Sequence, residues 1–357
     1  MQTNFNMLLL QLLLLLGTLS VLTAGHKSNY AVIVSSSRYW FNYRHVINAL
    51  SIYTVLRDNG IPDDNIILML ADEIPTNPRN PHKNGMFAEG RDRRSLYNAS
   101  VEIDYRGDEV TVHNLRRVLL GKGEARVLES DQDSNVLVYW TGHGGDQFFK
   151  FQDVEEITSS DIATLLDDMY DARMYKELLF IADTCQAFTL GNDIKAHNVY
   201  MVGSALKDEN SYAHHSDYDL GLSVIERYTH KLMEFLRGRN LSRITLQQAL
   251  IDHFDYREQR AHVGSRAVAS RRAMWQVPMS DFFANKELAP RATGVNSQPL
   301  MNHDDLRLWQ SYSLVSPPKQ WTGCLVNPKF AGSEYAFSAA VAAFALAVAT
   351  TAIRWRA

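Results

Sequence analysis

The sequence predicts an α/β domain built on a mostly parallel sheet. Short apolar runs rich in β-branched and aromatic residues alternate with segments whose apolar residues recur at helical spacing, as in sheets covered by helices. The clearest unit is a strand at residues 30–37, a helix from Val46 and a strand at residues 66–71. With 46% hydrophobic and 21% charged residues, the chain is expected to bury a sizeable core.

The remaining elements follow from the same patterns. Residues 38–45 form a polar and aromatic loop before the first helix, which is expected to stop at residues 58–60. Residues 72–108 lack periodicity and contain several prolines, so we expect a long irregular segment there. Further strands are predicted at residues 136–140, 178–181 and 199–204. Further helices are predicted at residues 110–120, 162–169 (capped by Ser159, Ser160 or Asp161), 220–236 and 246–254. Residues 255–279 give no clear pattern.

The two ends of the chain have the composition of membrane-targeting segments. Residues 1–25 combine an apolar run with small residues near position 24, which predicts a secretory signal peptide or, alternatively, an uncleaved signal anchor. Residues 28–290 would form the folded domain and residues 291–334 a linker. Residues 335–353 are apolar and uncharged, about the length of one bilayer crossing, and predict a transmembrane helix. The arginines of residues 354–357 predict a cytosolic tail and hence a lumenal domain.

The net charge and the number of cysteines limit the partners and the disulfide bonds that we expect. The formal net charge of −4 makes nucleic acid an unexpected partner. Having only Cys185 and Cys324 argues against a disulfide framework, although a single bridge between them is formally possible. Asn98 and Asn240 begin the triplets Asn-Ala-Ser and Asn-Leu-Ser, which are candidate glycosylation sites in a lumenal domain.

One cysteine and one histidine follow successive predicted strands. Cys185 comes just after the strand at residues 178–181, and His143 just after the strand at residues 136–140. If the strands are neighbours, both side chains lie at the carboxyl edge of the sheet, where ligands bind in open α/β folds. An imidazole beside a thiol can activate it for nucleophilic attack. A buried structural cysteine is the alternative for the thiol taken alone.

Glycines surround the histidine in the sequence Thr141-Gly142-His143-Gly144-Gly145. Because glycine lets the backbone approach a reacting carbonyl, the amides of Gly144 and Cys185 are candidate oxyanion donors. The chain contains neither CxxC nor HxxxH, so a zinc site is not expected.

Several motifs together resemble the legumain-like branch of the caspase-fold cysteine peptidases. They include YWTGHGG, FIADTCQA, SSRYWFNYRH, NPRNP and GSALKDENSY, and the similarity extends over most of residues 28–285. Within that branch the chain is most similar to the transamidases that attach glycosylphosphatidylinositol (GPI) anchors. The resemblance implies a caspase-like three-layer catalytic domain with a mostly parallel central sheet.

The resemblance also implies an activity and its residues. Cys185 would cleave the C-terminal attachment signal of a proprotein through a thioester, and the ethanolamine amine of a GPI lipid would accept the carbonyl. His143 would transfer the protons, and Asn42 matches the family's third catalytic position. Arg44, His45 and Ser204 are candidate substrate-binding residues. The implied partners are proproteins, the GPI lipid and other membrane subunits in the endoplasmic reticulum.

The sequence leaves a possible metal site open. Asp63, Glu102 and Asp104 could together hold a structural calcium ion, although a solvated acidic face is the alternative, and no cofactor is expected for the chemistry itself.

The sequence also leaves two alternative functions open. A legumain-like endopeptidase that uses water as acceptor would employ the same dyad. A catalytically silent binding subunit would have lost the dyad, whereas both of its members are present here.

Overall fold

A seven-stranded sheet organises the protein in a computed structural model that describes residues 29–88, 94–123 and 125–285. The strands are β1 (Tyr30–Ser35), β2 (Ile66–Leu70), β3 (Tyr105–Arg106), β4 (Asn135–Thr141), β5 (Gly144–Gly145), β6 (Phe148–Phe151), β7 (Glu155–Thr158), β8 (Glu177–Asp183), β9 (Val199–Gly203), β10 (Ala213–Asp217), β11 (Leu222–Glu226) and β12 (Gly264–Val268). The large sheet has the order β12-β9-β8-β4-β1-β2-β3, and all its neighbours are parallel except β12 with β9. Two smaller antiparallel units, β5-β6-β7 and β10-β11, lie outside it.

Helices cover both faces of this sheet. The α-helices are α1 (Tyr43–Asp58), α2 (Val112–Leu119), α3 (Ser159–Asp171), α4 (Arg227–Leu236), α5 (Tyr256–Gln259) and α6 (Ser280–Phe283), with a π-helical turn at Gln248–Asp252. Alternate residues of β1 enter opposite cores: Ile33 packs with α1 and α4, and Val34 with α2 and α3. Because a strand directs successive side chains to opposite faces, a strand covered on both sides is apolar throughout. The predicted α/β class with a mostly parallel sheet is therefore confirmed.

Two local predictions are wrong. Residues 222–226 form β11 and not the start of a helix, because they pair with β10 in an antiparallel hairpin that turns at Gly221, where φ is +69°. The N-cap of α3 is Thr158, whose hydroxyl accepts a hydrogen bond from the Asp161 amide while the Asp161 carboxylate accepts one from the Thr158 amide. This reciprocal pair is a capping box and begins the helix earlier than the apolar spacing suggests.

Several predicted features lie outside the described residues. These are the signal peptide at residues 1–25, the linker at 291–334 together with Cys324, the apolar segment 335–353 and the tail 354–357. Among the residues that are described, no helix is both long and apolar enough to cross a bilayer. Asn98 and Asn240, the candidate glycosylation sites, are both exposed, as an acceptor asparagine must be.

Candidate active site

The register between β4 and β8 places the predicted dyad at one edge of the sheet. The two strands are parallel neighbours, and their last residues, Thr141 and Asp183, are direct partners in the ladder. His143 and Cys185 each follow two residues later, so the chain brings both to the carboxyl edge of adjacent strands. Cys185 is a free thiol and is partly exposed. The neighbouring strands that the sequence analysis required are therefore present.

Asn42 orients the imidazole of His143. Its Oδ1 atom lies 2.9 Å from Nε2 of His143, and its Nδ2 atom donates to the carbonyl oxygen of Arg38 at 2.6 Å. The second bond fixes the amide with its oxygen towards the ring, so Nε2–H must be the donor to Asn42. The lone pair of the neutral imidazole then resides on Nδ1. Asn42 is almost fully buried, which protects both bonds from competing water.

The electrostatics of the dyad favour its neutral form at rest. Burial, followed by the positive charge of Arg44, lowers the pKa of His143 below its ordinary value. Burial also raises the pKa of Cys185, and the Glu226 and Asp183 carboxylates add to the rise, while a hydrogen bond from the Ser211 backbone opposes it. A thiol and a neutral imidazole therefore predominate near pH 7. Such a pair needs His143 to remove the thiol proton as the sulfur attacks.

Glycine is required on both sides of His143 because the chain packs too closely for a side chain. A Cβ at Gly142 would lie 2.2 Å from Ser36 Oγ, and one at Gly144 would lie 2.8 Å from Thr184 Oγ1 and 2.9 Å from the Phe148 carbonyl oxygen. Gly144 thus abuts the residue that precedes Cys185. This approach is consistent with the predicted participation of the Gly144 and Cys185 amides in an oxyanion hole.

Two of the three predicted substrate residues lie beside the dyad in one charged cluster. Arg44 Nε donates to Glu226 Oε1 at 2.6 Å, and His45 Nε2 lies 3.3 Å from the same oxygen. The His45 ring meets the His143 ring edge-on, with centroids 5.0 Å apart. His45 is buried, and burial lowers its pKa well below the ordinary value, whereas Arg44 is partly exposed. Arg44 is therefore the better placed of the two to contact a substrate.

The third residue, Ser204, supports the backbone next to the nucleophile. It is fully buried at the end of β9. Its hydroxyl accepts a hydrogen bond from the Thr184 amide at 3.2 Å and lies 3.3 Å from the Thr184 carbonyl oxygen. These contacts fix the turn that carries Cys185, and its role towards a substrate stays a prediction.

Sequence reasoning missed a buried acidic pair below the dyad, formed by Asp183 and Glu226. Ser211 Oγ donates to Asp183 Oδ1 at 3.0 Å and lies 3.5 Å from Glu226 Oε2, and Thr229 donates to Asp183 Oδ2 at 2.7 Å. Burial, followed by the charge of Glu226, raises the pKa of Asp183. The one sequence signal for Asp183 is its position two residues before Cys185. Glu226 lies in a segment that the sequence predicts as helix.

The three candidate calcium ligands surround an arginine. Arg126 Nη1 lies 2.8 Å from Asp104 Oδ1 and 3.7 Å from Glu102 Oε1, and Nη2 donates to the Asp63 carbonyl oxygen at 2.5 Å. Burial raises the pKa of Asp104 to about 6, and the charges of Glu102 and Asp63 add to the rise. Glu102 and Asp104 thus lie beside a guanidinium that supplies the opposite charge, whereas the Asp63 carboxylate accepts a hydrogen bond from the Tyr53 hydroxyl. A calcium ion would fit only if Arg126 moved away from Asp104.

Comparisons with known proteins agree with the family that the motifs indicate. Residues 29–270 match the Peptidase C13 family. The chain is 43% identical over 267 residues to "GPI-anchor transamidase" of Saccharomyces cerevisiae, covering 73% of this chain and 65% of that protein. It is 43% identical over 286 residues to "Putative GPI-anchor transamidase" of Drosophila melanogaster, covering 78% and 80%. For the human protein named "GPI-anchor transamidase" the identity is 44% over 222 residues, covering 61% and 56%.

The match therefore spans just under two thirds of the yeast protein and little more than half of the human one. A structural similarity to caspase-1 from Spodoptera frugiperda covers 70% of this chain and 91% of that chain, with a TM-score of 0.41 and 11% sequence identity. The predicted resemblance to legumain-like peptidases and GPI-anchor transamidases is confirmed by the family match and by these relatives.

Proposed function

We propose, from the premise that the chain belongs to the peptidase C13 family, that it is the catalytic subunit of a GPI-anchor transamidase. It would cleave the C-terminal attachment signal of a proprotein and transfer the new carbonyl end to the ethanolamine amine of a GPI lipid. The observation that carries the proposal is the Asn42–His143 hydrogen bond, which orients an imidazole at the edge where Cys185 lies. The relatives named GPI-anchor transamidase favour an amine over water as the acceptor.

The first half of the reaction forms a thioester. His143 Nδ1 takes the thiol proton as Cys185 Sγ attacks the carbonyl carbon at the attachment site, and the carbonyl oxygen gains negative charge. The Gly144 and Cys185 amides would stabilise that oxygen. His143 then returns the proton to the leaving nitrogen as the C–N bond breaks. The hydrophobic tail departs with a free amino group, and the proprotein remains as an acyl group on sulfur.

The second half replaces sulfur by nitrogen. The ethanolamine amine attacks the thioester carbonyl, His143 accepts a proton from the attacking nitrogen, and the C–S bond breaks. The proton returns to Cys185, so the enzyme regains its starting state. Arg44, held by Glu226 at the edge of the site, is positioned to hydrogen-bond the substrate backbone beside the scissile bond.

The sequence and the relatives support a proposed setting for this activity. The proposed location is the endoplasmic reticulum membrane, with the catalytic domain lumenal and one span at residues 335–353. Additional membrane subunits would present the GPI lipid and the proprotein. A protease-protection assay with a tag after Ala357 tests the topology, since a protected tag is inconsistent with a cytosolic end.

Hydrazine distinguishes a transamidase from a hydrolase. The full chain, with its partner subunits, is given a peptide that bears a hydrophobic tail, with hydrazine in place of the lipid amine. A transamidase releases the tail and forms the peptide hydrazide in proportion to hydrazine. Release of free acid that does not respond to hydrazine would support the endopeptidase instead.

Two variants test the residues. Cys185→Ala and His143→Ala are each expected to abolish hydrazide formation with little change in the thermal unfolding midpoint. Full activity of Cys185→Ser would contradict the assignment of the nucleophile. If neither variant altered activity of the assembled complex, the chain would be a silent binding subunit.

Calcium binding remains a proposal for Asp63, Glu102 and Asp104, and it supplies no step of the chemistry. Oxygen ligands of this kind suit calcium. Calcium is expected to raise the unfolding midpoint of the wild-type chain and not that of Glu102→Gln, which keeps the Asp104–Arg126 pair. No calcium-dependent shift in the wild type would leave Arg126 and Arg57 as the counter-ions of these carboxylates.

A further inference from the structure

Three histidines that the proposed reaction does not use converge at one place. His214 and His215 belong to β10, and His230 to α4. The ring centroids are 4.1, 4.8 and 4.5 Å apart for the three pairs. One ring nitrogen of each lies within 4.8 Å of the others. Within the ranges that the structure describes, this is the one group of His, Cys, Asp or Glu residues with such spacing.

The backbone of β10 is adapted to this convergence. Neighbouring residues of a strand ordinarily point to opposite faces, so His214 and His215 should diverge. His215 instead has a φ of +51°, in the left-handed region, and pairing with β11 is recorded for His214 and Ser216 but not for His215. This conformation is unfavourable for a non-glycine residue and turns the second ring towards the first.

The third histidine is held by a neighbouring carboxylate. His230 is buried on α4, and its Nε2 atom lies 3.4 Å from Oε1 of Glu234, one helical turn further on. Glu234 also pairs with Lys231 Nζ at 3.0 Å. A carboxylate bonded to the second nitrogen of a ligand histidine fixes the ring and raises its basicity, an arrangement common around protein metal ions.

We propose that His214, His215 and His230 bind a divalent transition-metal ion of the zinc class, with Glu234 orienting His230. Three imidazoles at a tetrahedral ion with bonds of about 2.0–2.1 Å would have nitrogens roughly 3.3 Å apart. The rings must therefore close by small rotations, which the exposed His215 ring permits. Water or another oxygen would complete the coordination.

The ion would connect the β10–β11 hairpin to α4 next to the catalytic centre. Ser211, just before β10, contacts Asp183 and, through its backbone, Cys185, and β11 ends at Glu226, the partner of Arg44. The site thus fixes the segment that borders the thiol. A search for short sequence motifs does not find this site, because His230 comes from another element. The proposed role of the ion is structural and lies outside the transfer chemistry.

Metal binding is measured on the full-length chain carrying Cys185→Ala, so that zinc cannot bind the catalytic thiol. Zinc titration by calorimetry is expected to give one ion per chain. His215→Gln, at an exposed position, is expected to weaken binding at least about tenfold, because loss of a mere outer partner already costs that much. His113→Gln, an exposed histidine on α2, is the matched control and should leave binding unchanged.

Cobalt provides a second readout that is independent of affinity. Co²⁺ in a tetrahedral imidazole site gives intense visible bands, which should appear in the parent chain and in His113→Gln and be lost in His215→Gln and His230→Gln. If His230→Gln does not fold, the exposed His215→Gln variant decides. Absence of zinc binding, or equal binding by His215→Gln and the parent, would overturn the proposal. Because the nucleophile is absent throughout, neither outcome depends on the transamidase assignment.

Discussion

Removal of the Asn42 side chain is the sharpest test of the site geometry. Asn42→Ala deletes the acceptor of His143 Nε2–H, 2.9 Å away, and the donor to the Arg38 carbonyl at 2.6 Å. Each bond contributes about 1 kcal/mol net, and buried groups left without a partner cost up to about 3 kcal/mol. The free energy of unfolding is therefore expected to fall by about 1–3 kcal/mol.

The catalytic effect should be separable from that loss of stability. If the bond to Asn42 is worth about 1–2 kcal/mol in holding the imidazole for proton transfer, kcat should fall about fivefold to thirtyfold while KM stays nearly unchanged. Asn80→Ala is the matched control. Asn80 is also buried and donates to two carbonyl oxygens, those of Pro75 and Gly85, but it lies in the irregular segment 72–108. The Asn80→Ala variant should have a lower free energy of unfolding and an unchanged kcat.

A carboxylate at the same position should move the pH profile. His143 must be neutral to act as a base, and its pKa is lowered, so the acid limb of kcat/KM in the wild type is expected below pH 6.5. Asn42→Asp places a negative charge at the ring, which favours imidazolium and should raise that limb by about one to three pH units. Asn42→Ala adds no charge and should leave the limb in place.

These profiles are measured with the hydrazine assay from pH 5 to 9, with folded fractions checked by circular dichroism. The reasoning would be refuted if Asn42→Ala retained the kcat of Asn80→Ala. It would also be refuted if Asn42→Asp left the acid limb unmoved.

Two further substitutions test other parts of the structure. Gly144→Ala would place a Cβ 2.8 Å from Thr184 Oγ1 and 2.9 Å from the Phe148 carbonyl oxygen, so we expect a loss of about 1–3 kcal/mol in stability and at least a tenfold loss of kcat. The control is Gly238→Ala, where the added Cβ has no neighbour within contact distance and kcat should be kept. A fully active Gly144→Ala would contradict the proposed approach of the Gly144 backbone to the reacting carbonyl. The pKa of Asp104 rises to about 6 on folding, so the folded state binds this proton more tightly than the unfolded state. The contribution of Asp104 to the free energy of unfolding should therefore decline as the pH rises from about 4 to about 6, by at most about 3 kcal/mol. Asp104→Asn still accepts the Leu68 amide and should flatten that slope in urea unfolding measured with a chelator present, whereas an unchanged slope would assign it to other groups.

The sequence predicts the parallel sheet and the dyad for the same reason. The central residues of a strand covered on both faces are apolar, and residues 178–182 of β8 are all apolar and buried. Such a run is visible without knowledge of its partners, and so is the polar residue that follows it. His143 and Cys185 each end such a run, so their common edge follows once β4 and β8 are neighbours. The sequence alone does not determine that adjacency, because residues 142–176 between the two strands carry the β5-β6-β7 unit as well as α3.

The acidic pair and β11 could not be predicted this way, because remote contacts decide them. Residues 222–226 continue into α4 without a break in composition, and only pairing with β10 makes them a strand. Glu226 belongs to the candidate site because Arg44, on α1, pairs with it. No local pattern records a contact between residues so far apart in the chain. The histidine cluster escapes prediction for the same reason.

Arg44 offsets part of the effect that the buried acidic pair has on the thiol. Burial raises the pKa of Cys185, and the charges of Glu226 and Asp183 add to the rise, whereas the charge of Arg44 lowers it. Burial, followed by the charge of Glu226, raises the pKa of Asp183 to about 6, and Arg44 pairs with Glu226. After burial, the same arginine lowers the pKa of His143, which favours the free base that the proposed attack requires. Arg44 thus acts on both members of the proposed dyad through charge, and Glu226 holds that charge in position.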